Sequence, residues 1–166
     1  MPVVLPRISI VTATFNAAHE LPGLVASLAE QTDKDFEWVV MDGGSIDGTA
    51  ELLYKLSDLP LVWRSEPDFG IYDALNKAVK LARGEYYLVV GADDVLDPAA
   101  VANFKKLGAD SGADILTAAV AYSGRLGVLR QPRGPAWLRG QMAYVTGHSV
   151  GTAFRKSLHD RKSVGF

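Results

Sequence analysis

The chain has 166 residues, 48% of them hydrophobic and none of them cysteine, and carries a formal net charge of -2. That is enough apolar material for one domain with a sizeable core, and the lack of cysteine excludes disulfides, thiolate metal centres and cysteine nucleophiles. The charge is unevenly spread: residues 1–120 hold 9 Lys/Arg against 18 Asp/Glu, whereas residues 121–166 hold 8 Lys/Arg against a single acid, Asp160. No apolar run reaches the length of a membrane span and the N-terminus lacks a basic leader region, so a cytoplasmic protein is expected. The basic C-terminal segment reads either as a solvated face or as a peripheral contact with an anionic membrane surface, and no basic run interleaved with aromatics suggests nucleic acid.

From Arg7 onward, short apolar runs alternate with amphipathic segments, the pattern of strand-helix units around a mostly parallel sheet. Ile8 to Thr12 is predicted as the first strand, Glu20 to Gln31 as a helix with Leu21, Leu24, Val25 and Leu28 on one face, and Phe36 to Met41 as the second strand, ending at Asp42. The turn Gly43 to Gly48 leads into a helix carrying Leu52, Leu53 and Leu56, with Ser45 or Asp47 as its natural cap. Leu61 to Arg64 makes a third strand. A helix then follows on the spacing of Ile71, Ala74, Leu75, Ala78, Val79 and Ala82, and Gly84 is expected to end it. Tyr86 to Val90 is a buried central strand. Asp97 and Pro98 open a helix to Leu107, and Asp114 to Tyr122 forms a strand joined through Ser123-Gly124 to Leu126 to Arg130 as an antiparallel hairpin. Beyond Pro132 the pattern is broken by Pro135, Gly140, Gly147 and Gly151.

Three of these strands end in polar residues at one edge: Thr12 to Asn16 after the first, Asp42 after the second, Asp93 and Asp94 after the fourth. In open parallel sheets that edge is where ligands bind. Asp93 and Asp94 read either as solvated loop acids or, since adjacent unpaired carboxylates repel, as a site for a divalent cation. The Gly43 to Gly48 turn does not fit a dinucleotide fingerprint, because Ser45 stands where the middle glycine belongs, and no P-loop sequence occurs. An acid such as Asp42 can instead accept from a base imide N–H or a ribose hydroxyl. A cation on the acidic pair beside a nucleotide over the first two strand ends suits a nucleoside diphosphate joined to a transferable group. Such a cation would stabilise a leaving diphosphate by roughly several kcal/mol.

The stretches Ile8 to Asn16, Asp42 to Thr49, Ser65 to Lys77 and Gly91 to Asp94 together resemble glycosyltransferase family 2, in that family's order and strand placement over about residues 7–105. The resemblance implies a GT-A fold, a Rossmann-like three-layer α/β/α arrangement with a C-terminal antiparallel hairpin, and metal-dependent, inverting sugar transfer from a nucleotide-sugar donor to a saccharide or lipid-linked acceptor. It implies that Thr12, Thr14, Phe15, Asn16 and Asp42 hold the nucleoside, commonly uridine, so that the donor would be a UDP-sugar. Asp93 and Asp94 would be the Asp-x-Asp-type metal motif, with Asp94 the direct ligand of Mn2+ or Mg2+ and Asp93 nearer the ribose or sugar. Asp68, Asp73, Asn76 and Lys77 would face the donor, as in a subgroup associated with bacterial surface polysaccharides. The alternative reading of Asp73 and Lys77 is the solvated face of a capped amphipathic helix. Many relatives carry an arginine where Leu75 stands, so one diphosphate contact of the family has no counterpart there.

Farther along, Gly147-His148-Ser149 and Phe154 to Leu158 resemble the stretch in which relatives place a histidine before a strand. His148 is accordingly a candidate catalytic contact to the acceptor or the diphosphate, or equally a structural histidine. The family's general base lies beyond this stretch, and the sequence given stops at Phe166, where that segment should begin; Asp160 does not match the base motif. One domain over residues 1–166 is therefore expected, a donor-binding portion lacking the C-terminal part of the family's catalytic domain. Two further readings are a non-catalytic nucleotide-sugar-binding module and a phospho-acceptor receiver domain. The second would need its acidic pair after the first strand.

Overall fold

The computed structural model describes residues 7–121, 128–129 and 151–158. In chain order the elements are β1 (Ile8–Thr14), α1 (Leu21–Ala29), β2 (Phe36–Asp42), α2 (Thr49–Lys55), β3 (Leu61–Ser65), α3 (Ile71–Leu81), β4 (Tyr86–Val89), α4 (Ala100–Ser111), β5 (Ile115–Thr117), β6 (Val120–Ala121), β7 (Val128–Leu129) and β8 (Thr152–Arg155). The main sheet has the order β3-β2-β1-β4-β8-β5. β1 to β4 run parallel, and β8 is antiparallel to both its neighbours.

The central strands read as unbroken apolar runs because both faces of the sheet are covered. Ile8, Ile10, Trp38, Val40, Tyr86 and Leu88 point to one side, where they meet Leu21, Leu24 and Leu28 of α1, Leu53 of α2 and Phe104 of α4. Val11, Val39, Met41, Tyr87 and Val89 point to the other and pack on Ala74, Leu75, Ala78 and Val79 of α3. Residues two apart along a strand share a face, so one sheet with helices on both sides makes the three layers.

Several boundaries depart from the sequence reading. The predicted helix at Pro98 starts later, at Ala100, because Asp97 closes a turn instead: its Oδ1 accepts the Ala99 N–H at 2.8 Å and its carbonyl accepts the Ala100 N–H at 2.8 Å. Gly84 does not end α3, whose last residue is Leu81. It is required by close approach to β1, since a Cβ there would lie 2.6 Å from Ser9 Oγ and 2.7 Å from Ser9 N. The predicted strand from Asp114 divides after Thr117, and Val120–Ala121 pairs with β7 as a separate two-stranded hairpin rather than extending the main sheet. The antiparallel strand within the main sheet is β8, inserted between β4 and β5. Arg155 at its end fixes that insertion: it pairs with Glu85 at 2.5 Å and Asp114 at 3.0 Å, and its guanidinium lies over the Tyr86 ring at 4.6 Å.

A second ion pair, with its carboxylate buried and its cation exposed, holds the same edge of the sheet. Glu37, 3% exposed at its side chain, receives Arg83 at 3.0 Å and the Ser9 hydroxyl at 2.7 Å, while Ser9 Oγ accepts the Gly84 N–H at 2.8 Å. The chain leaving α3 is thereby clamped to β1 and β2. Tertiary partners supply what a buried carboxylate needs.

At the carboxyl ends of the strands the organising group is Asp42, 1% exposed. Its Oδ1 accepts from the hydroxyls of Thr14 at 3.0 Å and Ser45 at 2.5 Å, and its Oδ2 from the Ser45 N–H at 2.9 Å and the Ser65 hydroxyl at 2.6 Å. Burial by itself would raise the Asp42 pKa, but the donors of Ser45, Ser65 and Thr14 outweigh it and hold the carboxyl below its ordinary value. One side chain thus ties the ends of β1, β2 and β3 together.

Two outcomes test this account. Gly84→Ala should lower stability by about 1–3 kcal/mol through overpacking against β1, read as a shift of the urea midpoint. For Asp42, whose folded value is depressed, the stabilisation is present above the unfolded carboxyl value of about 3.9 and is lost as pH falls through the lower folded value. Asp42→Asn should therefore destabilise the protein at neutral pH by about 2 kcal/mol and flatten the acid limb of its melting temperature against pH.

Candidate functional site

The loops that follow β1 and β2 are stitched to each other. The Asn16 N–H donates to Ser45 Oγ at 2.7 Å, Asn16 Oδ1 accepts the Ile46 N–H at 3.0 Å, and Asp47 Oδ2 accepts the Ala18 N–H at 3.0 Å. Asp47 Oδ1 also receives the Thr49 N–H and hydroxyl at the start of α2, one residue ahead of Gly48 at the cap position. Asn16 adopts a positive φ of 51°, a conformation that asparagine tolerates better than most residues.

This stitching sorts the nucleoside-holding candidates. The Thr12 side chain is buried and its hydroxyl takes the Trp38 indole N–H at 3.0 Å; Thr14 is spent on Asp42. Thr12, Thr14 and Asp42 thus have their side chains buried and hydrogen-bonded within the protein. Phe15, 67% exposed, and Asn16 are the members that reach the surface.

The β3–α3 loop is brought over the β2 turn. The Glu66 N–H donates to the Asp42 carbonyl at 2.9 Å, and the Asp68 carboxylate sits against Gly43, where a Cβ would come within 2.7 Å of Oδ2. A side chain at 43 would push that acid from its place. Asp68 Oδ1 accepts the Gly70 N–H at 2.8 Å and Asp73 Oδ2 accepts the Phe69 N–H at 3.3 Å, which shapes the entry into α3. Lys77 bridges Glu66 at 2.9 Å and Asp73 at 3.0 Å. These pairs raise the Lys77 pKa and lower that of Asp73, so the cation persists but is engaged within the loop. Asn76 lies partly exposed on the same helix. Leu75 turns into the core against the sheet.

Past β4 the chain folds back on itself. Asp94 Oδ2 accepts the Gly91 N–H at 2.7 Å. A Cβ on Gly91 would lie 2.8 Å from Asp93 Oδ1 and 2.8 Å from Asp94 Oδ2, so both carboxylates converge on the one residue without a side chain. Such a cradle of two hard oxygen donors suits Mg2+ or Mn2+, which take about six ligands and accept the remainder from water or phosphate. Among the described residues no three His, Cys, Asp or Glu side chains are placed to hold one metal ion, so the pair would share the ion with the substrate. His148 lies outside the described residues.

Two residues that hold this acidic loop were not singled out from the sequence. Ser27 Oγ accepts the Leu96 N–H at 3.2 Å; Gln31 donates to the Asp97 carbonyl at 2.8 Å and accepts the Val101 N–H at 3.1 Å. Both are buried. Gln31 continues the stripe of Leu21, Leu24 and Leu28, and a polar residue on a buried stripe signals a buried partner.

The sequence matches the Glycosyl transferase family 2 profile over residues 9–157. A PGL/p-HBAD biosynthesis glycosyltransferase of Mycobacterium tuberculosis is 42% identical over 95 residues, 55% of this chain and 37% of that protein. Chondroitin synthase of Pasteurella multocida is 37% identical over 99 residues, 58% of this chain and 10% of that protein. Among solved structures, S. aureus TarS 1-349 in complex with UDP-GlcNAc superposes with a TM-score of 0.83 at 26% identity, covering 96% of this chain and 48% of that one. The chain thus spans little more than a third of the mycobacterial relative and about half of the TarS fragment. With GT-A neighbours, a strand-end acidic pair and a profile match over most of its length, the chain belongs to glycosyl transferase family 2.

Proposed function

We propose that the carboxyl edge of the sheet takes a UDP-sugar and delivers the sugar, with inversion, to a saccharide or lipid-linked acceptor. The observation that carries this reading is the convergence of Asp93 and Asp94 on Gly91, one strand away from the stitched loops of β1 and β2. Family membership supports sugar transfer, and the TarS neighbour whose complex holds UDP-GlcNAc supports the choice of nucleotide.

In this reading Asp94 and Asp93 hold Mn2+ or Mg2+, which when bound neutralises charge developing on the leaving diphosphate. Phe15 offers a ring face and Asn16 a polar group to the nucleoside. Thr12, Thr14 and Asp42 act on the nucleoside from below, by fixing the loops that meet it. Asp68, Asp73, Asn76 and Lys77 form the donor-side wall, with Lys77 holding the loop that carries Asp68. His148 contacts the acceptor or the diphosphate. The acceptor hydroxyl attacks the anomeric carbon opposite the leaving diphosphate, the bond from that carbon to the diphosphate oxygen breaks, and the hydroxyl proton passes to a general base.

The acceptor meets the protein on the cytoplasmic side, with the basic C-terminal segment as a peripheral membrane contact. Among the described residues no helix is long and apolar enough to cross a membrane. Most of the basic segment lies outside those residues.

Calorimetry with UDP in the presence and absence of Mn2+ tests the centre. Asp94→Asn keeps an oxygen for the Gly91 N–H while removing the charge, so the fold should persist. The Mn2+-dependent gain in UDP affinity should fall about 10-fold or more, since even outer partners of metal ligands are worth about 10–100-fold. Undiminished metal-dependent affinity in Asp94→Asn and Asp93→Asn alike would refute the assignment.

A further inference from the structure

The loop that carries the acidic pair is mostly exposed, and Leu96 is the one buried residue among 91–97. Its backbone is nonetheless held atom by atom from behind, by α1 and the residues just past the end of that helix. Ser27 Oγ accepts the Leu96 N–H at 3.2 Å, and Gln31 Nε2 donates to the Asp97 carbonyl at 2.8 Å. The Pro98 carbonyl accepts the Thr32 N–H at 2.8 Å and the Thr32 hydroxyl at 3.1 Å. One turn before Ser27, Gly23 stands beside Val95, whose Cγ2 would lie 3.8 Å from a Cβ at that position. Each of residues 95–98 therefore has a partner on α1 or just beyond it.

The holders are themselves fixed. The Ser27 hydroxyl donates to the Leu24 carbonyl at 2.8 Å, Gln31 Nε2 also donates to the Ser27 carbonyl at 3.1 Å, and Gln31 Oε1 accepts the Val101 N–H at 3.1 Å. Gln31 is 2% and Ser27 4% exposed. Apolar side chains would fill that buried space without the cost of desolvating an amide and a hydroxyl. What the polar pair adds is a defined place for the loop backbone.

Leu96 follows Asp94 by two residues, a span of at most about 7 Å of chain, so a shift of its backbone is passed to the carboxylates. A small divalent cation tolerates little of that: Mg2+ demands oxygens at about 2.0–2.1 Å, and ligand sets work when held within about 0.5 Å of the productive geometry. We propose that Ser27, Gln31 and Thr32 are positioning residues, which fix residues 96–98 and so raise the affinity of Asp93 and Asp94 for a divalent cation without touching it. The role rests on the metal reading of the acidic pair given above. The loops after β1 and β2 are tied instead through Asn16, Ser45 and Asp42, so metal-free UDP binding should not depend on these three residues.

Amide hydrogen exchange of the metal-free 166-residue chain, and calorimetry with UDP in the presence and absence of Mn2+, read the geometry and the affinity separately. In Gln31→Met, exchange at Gly91 and Asp94 should quicken about tenfold or more. Gly43, whose N–H donates to the Thr14 carbonyl, should keep its rate. The Mn2+-dependent gain in UDP affinity should fall about tenfold, with metal-free UDP affinity unchanged. Ser27→Ala, a smaller change, should move both readouts the same way by about threefold or more. Arg83→Ala, which breaks the pair with Glu37, should lower the melting temperature and leave both readouts alone. Unchanged exchange at Gly91 in Gln31→Met and Ser27→Ala alike would overturn the positioning role. So would an equal loss of the Mn2+ gain in Arg83→Ala, because general destabilisation would then suffice. A parent chain whose UDP affinity ignores Mn2+ would remove the metal reading and this role with it, whereas a gain lost in Asp94→Asn but kept in Gln31→Met would remove the role alone.

Discussion

The carboxylate of Asp42 is the interaction on which the ligand-facing edge depends. It is a charge almost wholly withdrawn from water, stable there because four donors from β1, the β2 turn and β3 converge on its two oxygens. A buried acid without such partners would be costly; with them it becomes a rivet. Parallel strands need a rivet at this edge, because their carboxyl ends diverge into loops that no ladder hydrogen bond controls.

From that point the site is assembled by nearest-neighbour ties. Ser45 serves Asp42 and Asn16 together, which couples the first two loops; the Glu66 N–H on the Asp42 carbonyl brings the third loop over Gly43, and Lys77 keeps it there. The acidic pair is positioned from a different direction, by Ser27 and Gln31 of α1 acting on the residues after Asp94. The loops after β1, β2 and β3 and the acidic loop are thus built on separate supports. Gly91, free of a side chain, leaves the space in which the two carboxylates meet. The same loop also borders a cavity along α4.

Much of the fold was legible because its strands are buried on both faces and its helices on one. Ile8 to Thr12, Phe36 to Met41 and Tyr86 to Val90 stood out as apolar runs, and Ala74, Leu75, Ala78 and Val79 did lie on the buried face of α3. The candidate site was legible as a set of strand ends rather than as side-chain roles. Thr12 and Asp42 have the chemistry of ligand contacts, yet the indole of Trp38 and the hydroxyls of Ser45 and Ser65 claim them. Those partners are 26, 3 and 23 residues away in sequence, and two of the three separations lie beyond any local pattern. The break after Thr117 escaped the sequence reading for a related reason: Val120 and Ala121 have ordinary strand propensity, and their pairing with β7 rather than with the main sheet is a tertiary choice.

By itself, the sequence determined the α/β class, the alternation of strand and helix, the family's motifs and the edge at which Asp42, Asp93 and Asp94 emerge. Local periodicity and turn chemistry encode those features, and they need no knowledge of distant partners. The tertiary structure decided which polar groups are spent internally and which face outward, that β8 enters antiparallel between β4 and β5, and that Gly84 is needed for close approach to β1. It also decided that an acid-rimmed, partly apolar cavity borders the same carboxylates. Those outcomes depend on which atoms meet across the sheet, and such meetings are fixed only when both faces pack at once.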